Sequence, residues 1–150
     1  MSHDQLAALP VHQLSGLIQR REISPVELVD SCLHNIAQRE PRLQAFVAVH
    51  ADAARLAAQG AQAAIRAGHS AGPLHGIPIA LKDLIEIQGQ VFTGGSEAFK
   101  ERRATRSATL AQKLLSQGVI VLGKTHTVEF AMGGWGTNTR RGTPWNPWDM

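Results

Sequence analysis

The sequence predicts an α/β fold, and three stretches carry that prediction. Residues 77 to 87, IPIALKDLIEI, form an almost unbroken apolar run punctuated at either end by glycine and proline, the pattern of a strand covered on both faces. Ser107 opens a helical pattern carrying Leu110, Leu114 and Leu115; Gly118 ends it and the β-branched strand Val119 to Leu122 follows at once. Ala45 to Val49 reads as a further short strand in front of an alanine-rich helix.

Taken in order, Leu14, Leu17 and Ile18 carry helical spacing after Pro10 and predict a short amphipathic helix ending near Arg21 or Glu22. Ser24-Pro25-Val26-Glu27 is a stronger start signal, with a capping serine, proline at the first helical position and glutamate three residues after the cap. Val29, Cys32, Leu33 and Ile36 then share one face, where Cys32 reads as a small buried hydrophobe. Asp52 is expected to cap the next helix, which runs to about Ala67 before Gly68. Its small-residue face, Ala53, Leu56, Ala57, Gly60, Ala63, Ala64 and Ala67, is expected to pack closely, with a neighbouring backbone at Gly60.

Residues 68 to 76 read as a loop, Thr93 to Ser96 as a turn, and Glu97 to Arg106 as a solvated charged segment. From Met132 the chain becomes rich in glycine and tryptophan, and Trp135, Trp145 and Trp148 are expected to pack that loop onto the sheet.

With 150 residues, 43% of them hydrophobic and 18% charged, the chain has the composition of one globular domain or part of a larger one. The formal charge of +3 is spread out, and Glu101 interrupts Lys100, Arg102, Arg103 and Arg106, so no nucleic-acid arm is expected. Cys32 is the only cysteine, which excludes an intrachain disulfide. The start MSHDQLAALP lacks the basic and apolar regions of an export signal and no stretch approaches a membrane span, so a reducing cytoplasm is the expected location.

Four features invite chemistry. Gly118 to Thr125, GVIVLGKT, matches the phosphate-loop expression, but Val119, Ile120, Val121 and Leu122 build a strand rather than a flexible turn, and nucleotide binding is disfavoured. The seven histidines are scattered without ligand spacing, so no metal site and no cofactor are expected; His75 and His126 read as loop residues hydrogen-bonded locally. Ser96 reads as a turn residue, since no Gly-x-Ser-x-Gly elbow surrounds it. Lys82 differs from these: a lysine inside an apolar run either snorkels to water or stays poorly solvated, and in the second case its neutral amine becomes a usable base.

The succession GPLHGIPIALKD, a TGGS turn, SATLAQKLLSQGVIVLGKTHTVEFAMG and GTPWNPWD resembles the amidase signature family from about Gly72 onward. The resemblance implies a mixed twisted sheet surrounded by helices, with residues 1 to 70 as a helical lead-in and 71 to 150 as the start of a single amidase domain. It implies that Lys82 is the base of a Ser-cisSer-Lys relay that forms an acyl-enzyme from a small linear amide. Both serines are then expected in glycine-rich motifs after the NPWD segment, so these 150 residues alone are expected to be inactive.

The FAMGG segment is similar to the family's acyl-pocket wall, which makes Met132 and Gly133, and secondarily Ala131 and Gly134, the substrate-binding candidates. The expected partner is a small-molecule amide, without nucleic acid or membrane, and the assembly considered is a homodimer. The amidase component of a tRNA-dependent amidotransferase is the second reading, ranked lower because GWGTN stands where that branch usually carries serine and glutamate. A catalytically dead interaction fragment is the remaining alternative.

Overall fold

The computed structural model describes residues 2–149. Its elements are α1 (His3–Ala7), α2 (Val11–Gln19), α3 (Pro25–Leu43), β1 (Phe46–Val49), α4 (Ala51–Arg66), β2 (Pro78–Lys82), α5 (Thr109–Ser116) and β3 (Ile120–Thr125). Two 3-10 turns, Glu97–Phe99 and Glu129–Ala131, complete them.

The strands form one sheet in the order β1-β3-β2. β1 runs antiparallel to β3, pairing Phe46 with Thr125, Ala48 with Lys124 and Val49 with Gly123, with a register irregularity between Phe46 and Ala48. Glycine is required at position 123, because a Cβ there would stand 2.2 Å from the Ala48 carbonyl oxygen. Between β2 and β3, Ile120 N–H donates to Ile77 O and Asp83 N–H to Thr125 O, contacts that advance in one direction along both strands and make the sheet mixed. Among the described residues no helix is long and apolar enough to cross a membrane.

The chain divides into two compact units. The first comprises the chain up to Gln38, His50–Ile79 and Lys113–Leu122. The expected capping box opens α3: Glu27 N–H donates to Ser24 Oγ at 3.1 Å, and Ser24 N–H donates to the Glu27 carboxylate at 2.8 Å. Hydrogen bonding from Ser24, its backbone N–H first, holds the Glu27 carboxyl below its usual range. Val29 and Leu33 pack with Ala54, Ala58, Ala61, Ile120 and Leu122; Leu14, Ile18, Leu28 and Ile77 form a second cluster with Leu6. Cys32 touches both clusters, and desolvation raises its thiol pKa, as expected of an inert packed cysteine.

Two expectations fail in α4. Asp52 lies in the first turn rather than at the cap, which is His50, and the acid acts through the helix dipole and a 3.8 Å contact with Arg55. The buried face is Ala54, Ala58 and Ala61; Ala53, Leu56, Ala57 and Gly60 face outward, and nothing lies within 4 Å of a Cβ built on Gly60. An alanine-rich helix offers two equally small stripes, so spacing alone does not decide which one meets the neighbouring strand.

The second unit comprises Arg39–Val49, Ala80–Gln112 and the chain from Gly123. Here Ser107 does not cap α5. Its hydroxyl accepts from Gln88 N–H at 3.0 Å, and Ala111 rather than the leucines is the fully buried residue of the helix. Leu110 and Leu115 are exposed. The tryptophans do not pack onto the sheet either: Trp135 and Trp148 are 94% and 93% exposed and Trp145 is 56% exposed, because no described residue covers them.

Candidate functional site

The apolar run around Lys82 becomes a strand for only five residues. At Asp83 the backbone leaves β2, and Ile85 N–H donates back to Lys82 O at 2.9 Å, closing a turn. Ala80 and Lys82 are exposed while Leu81 is buried, so β2 is covered on one face, not two. The expectation of a poorly solvated Lys82 amine is therefore not met among these residues. β2 is an edge strand and nothing described lies over its outer face.

Asp83, the next residue, is 1% exposed and accounts for the turn. Its carboxylate accepts from Thr93 N–H at 3.3 Å and from the Thr93 hydroxyl, and its carbonyl accepts from Gly94 N–H at 3.1 Å. The TGGS turn is thus held against the end of β2. Thr93 Oγ1 accepts in turn from Gly95 N–H at 3.0 Å, and Gly94 O accepts from Phe130 N–H at 2.7 Å. Gly95 sits at φ +77°, and a Cβ there would approach the Thr127 and Val128 carbonyl oxygens to 2.8 Å, so only glycine fits. Ser96 is 3% exposed and its N–H donates to Thr93 O at 3.1 Å, which agrees with the turn reading.

The predicted acyl-pocket wall follows directly. Phe130 and Ala131 adopt left-handed φ of 51° and 60°, an arrangement that costs non-glycine residues roughly 1 kcal/mol or more each. Bonds from Ala131 N–H to Val128 O and Met132 N–H to Glu129 O, at 3.0 and 2.9 Å, hold the kink. Met132 is 83% exposed and lines a cavity of about 180 Å³ with Gly95, Val128, Glu129, Asn138 and Arg140 among its other walls. Lys82, Ala131, Gly133 and Gly134 are not among the lining residues. The structure ties Lys82 to this wall through Asp83, Thr93 and Gly94, by hydrogen bonds rather than by a shared cavity.

Sequence reasoning missed three contributors. Asn138 is 8% exposed; its amide donates to Gly95 O at 2.7 Å and Thr127 O at 3.2 Å, and its carbonyl accepts from Arg140 and Arg141 N–H. Thr93, already described, is the second. Lys124 is the third: at 2% exposure it is the buried lysine of this sheet, with Nζ donating to Ile85 O. Desolvation lowers its pKa, opposed by the carboxylates of Asp83 and Glu86. The only sequence signal for Lys124 was the spurious phosphate-loop match. Those residues form β3, Ile120 N–H is engaged by Ile77 O, and no α-helix follows among the described residues, so the amides are not arranged for phosphate.

Of the histidines, His75 Nδ1 accepts from Ala71 N–H at 2.9 Å, the expected local bond. His126 departs from expectation, because its buried Nδ1 has no hydrogen-bond partner among the described residues. Burial lowers its pKa, with Glu40 opposing, Arg141 reinforcing and Asp83 opposing. Among the described residues no group of three or more His, Cys, Asp or Glu side chains is arranged to hold a metal.

Residues 27–150 match the model of the family described as Amidase. The chain belongs to the amidase family. It is 41% identical over 143 residues to the 2-amino-5-chloromuconic acid deaminase of Comamonas testosteroni, covering 95% of this chain and 31% of that protein. It is likewise 41% identical over 140 residues to the A subunit of the glutamyl-tRNA(Gln) amidotransferase of Halorhodospira halophila (strain DSM 244 / SL1), covering 93% of this chain and 29% of that one. Among solved structures, the native peptide amidase of Stenotrophomonas maltophilia superposes with a TM-score of 0.85 at 31% identity, covering 95% of this chain and 30% of the other. The chain thus spans about three-tenths of the length of these amidase relatives, and its mixed α/β sheet with flanking helices is the amidase-signature fold over that span.

Proposed function

We propose that the full-length protein is an amide hydrolase that cleaves the C–N bond of a small linear amide to a carboxylate and ammonia or an amine. Residues 1–150 form the amino-terminal part of its single amidase domain, and Lys82 is the base of a Ser-cisSer-Lys relay whose two serines lie beyond Met150. The neutral Lys82 amine accepts a proton through the bridging serine, the second serine attacks the amide carbonyl, the amine leaves with the proton, and water releases the acid. Met132, Gly133, Ala131 and Gly134 wall the acyl group. No metal or cofactor takes part, the enzyme is cytoplasmic, and a homodimer is the assembly to test by light scattering.

The observation that carries this reading is the hydrogen-bonded path from the end of β2 through Asp83, Thr93 and Gly94 to Phe130, which gives Lys82 and the pocket wall one frame. In this reading, the remainder of the domain covers the Lys82 amine and dries it. Lys82→Ala in the full-length protein should lower amide turnover at least 10²-fold, on the order expected for loss of a general base; unchanged turnover rejects the assignment.

The relatedness to the amidotransferase protein at 41% identity supports a second reading, in which ammonia is freed from glutamine inside a larger complex. Glutamine hydrolysis that appears only with the other components of such a complex would favour it. Hydrolysis of simple amides by the isolated protein would favour the first.

A further inference from the structure

One asparagine side chain joins the two segments that build the candidate site. Asn138 Nδ2 donates to Gly95 O, in the TGGS turn, at 2.7 Å and to Thr127 O, at the start of the wall, at 3.2 Å. Its Oδ1 accepts from Arg140 N–H at 3.3 Å and Arg141 N–H at 3.0 Å. The main chain closes the same loop, with Asn138 N–H on Thr143 Oγ1 at 3.1 Å and Gly142 N–H on Asn138 O at 3.0 Å. Arg141 adds a second tie, donating from Nη1 to the Glu97 carboxylate beside the TGGS turn at 3.1 Å. An asparagine more than nine-tenths buried, with both donors and its acceptor engaged, is a fixed part of the structure and not a solvated loop residue.

What it braces is strained. Just after Thr127, Phe130 and Ala131 take left-handed φ of 51° and 60°, and the Phe130 N–H on Gly94 O is the wall's own tie to the turn. Backbone of that kind persists only where its surroundings over-determine it. Met132 follows directly, and it lines the same cavity as Asn138 and Gly95.

We propose that Asn138, seconded by Arg141, is a specificity-determining positioning residue: it holds the kinked wall against the TGGS turn and so sets how long an acyl group the pocket accepts. This rests on the reading of the full-length protein as an amide hydrolase with Met132 in its acyl wall. Asn138 acts on the acyl group through Met132 and has no part in the proton relay. Without its two donors, the Gly95 and Thr127 carbonyls lose a buried partner, Phe130 and Ala131 relax toward ordinary φ, and Met132 moves off the acyl chain. A long acyl group then loses contact, whereas an acetyl group, too short to reach the wall, loses nothing.

The test is the full-length enzyme assayed on linear amides from acetamide to hexanamide. Asn138→Asp keeps the acceptor for the Arg140 and Arg141 N–H groups and turns an oxygen toward both carbonyls. Its KM for hexanamide should rise while kcat and the acetamide constants hold, so that the hexanamide-to-acetamide ratio of kcat/KM falls about tenfold, the scale of a poorly filled apolar pocket. Arg141→Met removes the Glu97 tie together with a buried Nε that has no partner among the described residues, and should lower the ratio by a smaller factor. A merely structural role would lower melting temperature, and kcat by one factor for every amide, with no change of ratio. An unchanged or raised ratio in either folded variant overturns the proposal, and Arg141→Met decides alone should Asn138→Asp not fold. Wild-type protein that hydrolyses none of these amides rejects the hydrolase reading itself, whereas wild-type turnover with unmoved ratios in the variants rejects only the role of Asn138 and Arg141.

Discussion

The ends of β2 and β3 place two lysines in opposite environments. Lys82 closes an edge strand on its open face; Lys124 lies in the central strand at 2% exposure with its Nζ on a carbonyl. An edge strand lets a charged side chain reach water without disturbing the ladder. A central strand does not: there the Lys124 Nζ is held on Ile85 O, and desolvation lowers its pKa against the opposing carboxylates of Asp83 and Glu86. The same residue type is therefore exposed at one position and fixed on a backbone carbonyl at the other.

The sharpest way to break this comparison is stability. Lys124→Met should cost about 2 kcal/mol, the scale for leaving the Ile85 carbonyl without its donor in a buried setting, while Lys82→Met should stay within about 0.5 kcal/mol. Chemical denaturation of the full-length protein measures both, and equal losses would end the distinction. Thr93→Val should cost about 2 kcal/mol, because the buried Asp83 carboxylate loses its hydroxyl donor; a loss under about 0.5 kcal/mol in the same titration would mean that the clamp is dispensable.

The His126 ring refines the picture with pH. Its folded pKa lies below the ordinary 6.5, so the unfolded chain binds the proton more readily. Stability from this group is complete above that value and declines as pH falls below it, a shallow slope that His126→Gln should remove from melting curves recorded from neutral pH downward. The smallest effect belongs to Gly60→Ala. With open space around that helical position, the change should stabilise by about 0.5 to 1 kcal/mol. Destabilisation would show that a neighbour approaches there in the full-length protein.

Much of the fold was legible locally. The Ser24 box and the helix stop near Gly68 arise from bonds within a few residues, where sequence spacing is a direct measure of geometry, and the strands Phe46–Val49 and Ile120–Thr125 show as short runs of β-branched and apolar residues. Faces were less legible. α4 carries alanine on both sides, α5 buries Ala111 and leaves Leu110 exposed, and the tryptophans lie uncovered, since burial depends on what stands opposite rather than on the residue's own hydrophobicity.

The candidate site divides the same way. Lys82 stood out because charge inside an apolar run is locally conspicuous, and the Met132 wall because its motif is contiguous. Asn138 and Thr93 look like ordinary loop residues until their partners, 43 and 10 positions away, are in place.

The sequence by itself determined the order of most helices and strands, which family the succession of motifs resembles, and that position 82 carries an amine inside an apolar run. Only tertiary structure decided which lysine is sealed from water and which remains at the surface. Solvation is set by the strand's place in the sheet, and that place comes from pairing between segments about forty residues apart, β2 with β3, and nearly eighty apart, β1 with β3.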